Sequence, residues 1–200
     1  MRSKFKNIKL LLTVGIIIGI VVSCLVFFIN KEFRGDQEKI INTAQILKEK
    51  MEEKYGITII ESKGLYNRDH VGFGATLTTN NGITFDAWNQ LNRIVDFYME
   101  EVWRKKGLEK WGYAKQHLSN VKKIDLTISY RHEEQKEIEH MTDKIENVKN
   151  KLWLTLYIDL NETFKKEKAK EVEKGIYNYY QQILDDEGEG IDIKTKLVPI

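Results

Sequence analysis

Gly72 to Trp88 reads GFGATLTTNNGITFDAW. Apolar residues alternate at Phe73, Ala75 and Leu77, and a second run, Ile83 to Trp88, follows across Asn80-Asn81-Gly82. Period-two alternation marks a strand with one buried face. Asn-Gly between two such runs is the strongest short-range hairpin signal, because glycine accepts the positive φ that a tight turn demands. A hairpin at this point rules out an all-helical chain, so the flanking segments are read against a sheet.

Upstream, Ile57-Thr58-Ile59-Ile60 is short and β-branched, a third strand. Before it Ile40, Ala44, Leu47 and Met51 recur at helical spacing, with Ile41 alongside and a Lys/Glu-rich opposite face. Asp36 is placed to cap this helix and Tyr55-Gly56 to end it. Downstream, Leu91, Ile94, Val95, Tyr98 and Val102 predict a second amphipathic helix stopping around Gly107. Gly107 to Lys123 has no clean stripe and reads as a joint. Ile124 to Tyr130 is then a strand. Ile138, Met141, Ile145, Val148 and Leu152 form a helical seam, and Leu152 to Ile158 alternates as another strand. A helix capped by Asn161 carries Phe164, Val172, Ile176, Tyr179 and Ile183; Gly188 and Gly190 break it before a last strand, Ile191 to Val198. The expected fold is α+β, one domain over 30–200 with a sheet covered by amphipathic helices, in halves of about 36–107 and 123–198.

The N-terminus sets an expectation of place. Leu10 to Ile29 (LLLTVGIIIGIVVSCLVFFI) holds no charge and follows Arg2, Lys4, Lys6 and Lys9. Twenty helical residues reach roughly 30 Å, about one bilayer core. Residues 1–9 then read as a cytoplasmic basic flank and 10–29 as a transmembrane signal-anchor. Residues 30–200 would lie outside a single-pass cell membrane. Val21-Val22-Ser23-Cys24 also fits lipoprotein processing, with Cys24 lipidated. The apolar run continues through Leu25 to Ile29, which favours the uncleaved span.

Of the 32 basic residues, four precede Leu10, leaving 28 against 30 acidic, a net of −2 for the remainder. That gives a nucleic-acid partner no support. Cys24 is the sole cysteine, so no disulfide, thiolate metal site or thiol nucleophile follows it. The four histidines, His70, His117, His132 and His140, lack metal-ligand spacing: His132 and His140 stand eight apart, where a zinc helix places them four apart. No metal or cofactor is expected. Glu52-Glu53, Glu100-Glu101, Glu133-Glu134 and Asp185-Asp186 sit among cations on solvated faces rather than in the apolar setting a glycosidase acid needs. Asp86, between Phe85 and Ala87, is the one acid with apolar neighbours. Gly72-Phe73-Gly74 lacks the third glycine of a nucleotide fingerprint.

Aromatics are the remaining signal. Trp88, Trp103, Trp111 and Tyr113 lie near but mostly off the apolar stripes, alongside Trp153. They either anchor a partner or cap the edges of a small core.

The tethered N-terminus, Met51-Glu52-Glu53-Lys54-Tyr55-Gly56-Ile57 and the hairpin Gly72 to Trp88 together resemble the small membrane-anchored or lipoprotein-like surface proteins of low-GC Gram-positive bacteria, some with cystatin-like domains. The resemblance covers about residues 1–105 and carries over no functional residues. Beside the resemblance, the apolar N-terminus and the aromatics without converging acids or imidazoles lead to the expectation of a membrane-tethered extracytoplasmic module, non-catalytic, binding another envelope protein or joining a membrane assembly. Binding or hydrolysis of cell-wall polymer is the alternative.

Overall fold

The computed structural model describes residues 15–28, 36–67, 72–90, 93–119, 121–131, 144–160 and 168–197. Residues 15–28 form helix α1, whose apolar side chains are exposed. Among the described residues no helix is long and apolar enough to cross a membrane. The transmembrane signal-anchor is corrected accordingly. With it go the extracytoplasmic, single-pass placement and the tethered envelope-module reading, together with its wall-polymer alternative. The remainder of the apolar run (10–14 and 29) and the basic flank 1–9 lie outside the described residues, while Cys24 is exposed on α1.

The chain divides into two compact units, Met1–Asp96 and Phe97–Ile200, and the strands described form two sheets where one was expected. In the first, α2 (Gln37–Tyr55) packs on an antiparallel sheet in the order β1 (Ile59–Asn67), β2 (Gly72–Thr79), β3 (Thr84–Gln90), β4 (Arg93–Asp96). Asp36 caps α2 by accepting from Lys39 N–H at 3.4 Å, and Gly56 ends it in the left-handed region at φ 63°. Ile40, Ala44, Leu47 and Met51 are its buried face. The helix lies close over β1: a Cβ on Gly64 would stand 2.8 Å from the Ile40 carbonyl oxygen, so only glycine fits there. The hairpin closes where expected, with Thr79 N–H on Ile83 O at 2.9 Å and Gly82 at φ 78°.

The expected helix from Leu91 to Gly107 is displaced. Arg93–Asp96 instead pairs with β3, and the helix, α3, runs Tyr98–Trp111. β-branched Ile94-Val95 prefers the ladder. Gly107 lies inside α3, where a side chain would meet Leu126 Cδ2 at 2.3 Å. It is a packing glycine, not a stop.

In the second unit, β5 (Val121–Tyr130) pairs antiparallel with β6 (Leu152–Leu160), and β6 pairs parallel with β7 (Ile191–Leu197) after a crossover through α4 (Ala169–Asp185). Trp103, Trp111, Leu126, Leu156, Tyr179 and Ile183 fill the core, each at most 1% exposed. Burying side chains of this size stabilises by roughly 1.5–3 kcal/mol apiece. The predicted seam helix is replaced, over 145–151, by two short 3-10 turns that still bury Ile145 and Val148. Ile138 and Met141 lie outside the described residues, as do Asn161, His70, His132 and His140.

Candidate functional site

In the three-stranded sheet, side chains of Leu126, Leu154, Leu156 and Ile158 point to the core, so odd-numbered Asp125, Thr127 and Ser129 of β5 share the opposite face with Trp153, Thr155 and Tyr157 of β6. Backbone polarity follows the same alternation. Arg131 N–H donates to Lys151 O at 3.1 Å on the β6 side. Odd-numbered backbone groups of β5 therefore face β6, and those of Ile124, Leu126 and Ile128 face away from it. The strand order is β5-β6-β7, so among the described residues β5 is an edge strand.

Along that edge runs an open cleft of about 590 Å³, lined by Lys123 to Ile128 of β5 and by Glu100, Glu101 and Arg104 of α3. Six consecutive strand residues, drawn from both faces, can line one cleft only if it follows the strand's edge. The charges inside it form a chain. Arg104 Nε donates to Glu101 Oε2 at 2.7 Å and Arg104 Nη1 to Asp125 Oδ1 at 3.2 Å. Lys123 Nζ donates to Asp125 Oδ2 at 2.6 Å. Leu126 N–H, one of the outward-facing donors, reaches Asp125 Oδ1 at 3.0 Å.

The electrostatics favour the charged forms of Asp125, Arg104 and Lys123. Burial works to raise the Asp125 carboxyl, but the Lys123 hydrogen bond and the charges of Lys123 and Arg104 outweigh it and hold the group below the usual aspartate range. The hydrogen bond to Glu101 leads in raising the Arg104 guanidinium. The hydrogen bond to Asp125 leads in raising the Lys123 ammonium.

The aromatics singled out in the sequence are placed elsewhere. Trp103 and Trp111 are enclosed in the core of the second unit, each 0% exposed, and present no face to a partner. Trp111 Nε1 donates to Asp186 O at 3.2 Å. Tyr113 is half-buried, donates to Asp186 Oδ2 at 2.7 Å, and has its phenol pushed up chiefly by burial. Its ring stacks edge-on against Tyr179, whose hydroxyl donates to Trp111 O. These contacts fasten the C-terminal end of α3 to that of α4, a structural task. Trp88, in the first unit, lies half-buried across Gly74, and Asp86 accepts from Thr76 Oγ1 at 2.7 Å. The sequence underweighted Trp153 and Tyr157, which are exposed on the outer face of β6 beneath Arg131 and Lys194. His117 Nε2 is 2.5 Å from Gln182 Oε1. Among the described residues, no group of three or more His, Cys, Asp or Glu could hold a metal.

No family model matches the chain. No curated protein matches it either. Among solved structures it is similar to the organic hydroperoxide resistance protein OhrB of Bacillus subtilis (13% identity, 70% of this chain and 98% of that one, TM-score 0.29). It is also similar to an organic hydroperoxide resistance protein OsmC of Legionella pneumophila (15% identity, 70% and 96%, TM-score 0.25). At such TM-scores neither likeness carries an argument about this chain.

Proposed function

We propose that this chain is a non-catalytic protein-binding module that takes an extended segment of a partner onto the open edge of β5. One observation carries the reading: the cleft is walled by a helix on one side and, among the described residues, by the open backbone edge of a strand on the other. Strand addition uses that arrangement, since backbone bonds give affinity and flanking side chains give selectivity. Catalysis is disfavoured by the same residues. A general acid or base works best with a pKa near the operating pH, whereas Asp125 is shifted down and Arg104 and Lys123 up, all away from neutrality.

The test is selection of linear peptides from a display library on the full chain. A selected peptide should slow amide exchange at Ile124, Leu126 and Ile128. Ile128→Pro removes an outward donor and leaves the β6 ladder its bonds, a position where an edge strand accepts proline. Loss of one such bond should weaken binding about threefold to tenfold, with Ile124→Pro as the second variant. Unchanged affinity for both proline variants, with no protection along β5, would overturn the reading.

A further inference from the structure

We propose that the first unit pairs with a second copy of itself through the free edge of β1. The pairing is antiparallel and centred on Ser62, so that Glu61 of each copy faces Lys63 of the other. The strand and the unit are other than those of the β5 cleft, and neither contact depends on the other.

In the order β1-β2-β3-β4, β1 ends its sheet among the described residues. The hairpin shows which of its backbone groups are free. Thr79 N–H donates to Ile83 O, so odd-numbered residues of β2 turn their backbone bonds toward β3 and even-numbered ones toward β1. Thr78 and Thr76 stand opposite Glu61 and Lys63. The backbone groups of Glu61 and Lys63 are therefore bonded to β2, and those of Ser62 and Gly64 point away from the sheet. The register shifts between Ile59 and Glu61 and is regular from there to Asn67. Glu61, Ser62 and Lys63 are exposed, and Ile60 beside them is 67% exposed. Neither Glu61 nor Lys63 has an ion-pair partner among the described residues.

Two copies of one strand pair about a twofold axis, and every contact off the axis occurs twice. Free backbone groups must meet free backbone groups, so even-numbered residues face even-numbered ones and the axis passes through a residue. Centred on Glu61 or on Lys63, the pairing sets like charges against each other, which is destabilising. Centred on Gly64, it leaves Glu61 opposite Asn67 and Lys63 opposite Leu65, with neither charge answered. Centred on Ser62, the two serines exchange backbone bonds. Both Glu61–Lys63 pairs then fall at positions without backbone bonds, where opposed residues approach most closely. A lysine on an edge keeps most strands from pairing. Two residues from a glutamate, with a free serine backbone between them, it becomes a contact that a second β1 satisfies.

The test uses the full chain with Cys24→Ser, so that introduced thiols are the only ones present. Amide exchange at Ser62 and Gly64 should slow as protein concentration rises. Glu61→Lys and Lys63→Glu should each raise the concentration required on the order of tenfold. An equal mixture of the two should restore it, because every facing pair is then opposite in sign. Disulfides read the register. A Glu61→Cys chain mixed with a Lys63→Cys chain should cross-link faster than either chain alone. Their Cα atoms would lie about 4.5 Å apart, within disulfide reach, and the second Glu61–Lys63 pair stays intact. Exchange at Ser62 and Gly64 that ignores concentration would overturn the assignment. Association unaffected by the charge reversals would place the contact on the exposed apolar residues of α1 and overturn it equally. Cross-linking no faster in the mixture than in the separate chains would refute the register and the pairing built on it.

Discussion

Two aspartates sit on two edge strands, and the chain treats them differently. Asp96, on β4 in the first unit, accepts from Tyr55 Oη at 2.8 Å and Lys54 Nζ at 3.0 Å, both from the last turn of α2. Its side chain is 4% exposed. Asp125, on β5 in the second unit, also takes a cation from a helix, Arg104, but its side chain is 34% exposed beside an open cleft. The first carboxylate seals its strand against the helix. The second only bridges the gap between strand and helix, and leaves room for a further chain. A similar ionic device therefore occurs once with its carboxylate enclosed and once with it beside an open cleft.

The largest expected effects test whether both edges stand on equally solid sheets. Leu77 of β2 and Leu156 of β6 are each 0% exposed. Leu77→Ala and Leu156→Ala should each cost about 2–5 kcal/mol through lost transfer energy and a residual cavity. Amide exchange of the sheet that holds each residue is the measure. A cost below about 1 kcal/mol for Leu156→Ala alone would mean the second sheet is loosely packed, and the open cleft would then be a loose edge rather than a built one.

Removing the sealed carboxylate should come next in size. Asp96→Ala leaves the part-buried Tyr55 hydroxyl without this acceptor, a loss of about 1–3 kcal/mol. Asp125→Ala should cost under about 1 kcal/mol, as exposed pairs do. Equal losses, read from chemical denaturation, would break the contrast between the two edges.

Part of this was legible in the sequence. The hairpin Gly72 to Trp88 and the helix Asp36 to Gly56 depend on neighbours a few residues apart, and they formed as the spacing required. The segment 91–107 was not legible. Ile94, Val95, Tyr98 and Val102 fit a helical period, while pairing of Arg93–Asp96 with β3 depends on Trp88 and Asn89, which the period does not report. Gly107 looks like a helix stop until Leu126 is seen against it. The cleft was legible least of all. Arg104 and Asp125 lie 21 residues apart, and no local pattern says that β5 pairs on one side only among the described residues. Lys122-Lys123 ahead of a strand was the available signal, since lysines gather on edges. The tryptophans misled because a large ring just off an apolar stripe can complete a core as readily as anchor a partner. Trp103 and Trp111 do the former.

The smallest expected effect separates charge from hydrogen bonding at the open edge. Asp125 has its folded pKa depressed, by Lys123 and Arg104 against the opposing pull of burial. A depressed carboxyl contributes stability that is fully present above the unfolded pKa of about 3.9 and is lost as pH falls through the lower folded value. Asp125→Asn keeps an oxygen for the Leu126 N–H but removes the charge that Lys123 and Arg104 respond to. At pH 7 the variant should be less stable by a few tenths of a kcal/mol and by no more than about 1 kcal/mol, given the exposure of the pair. As pH falls below about 5 the gap between the two denaturation midpoints should narrow as the native carboxyl takes up its proton. A gap that does not narrow as the solution is acidified would assign Asp125 a hydrogen-bonding role independent of its charge. The carboxylate at this edge would then bridge strand and helix through hydrogen bonds rather than charge, and the contrast with Asp96 would reduce to one of burial alone.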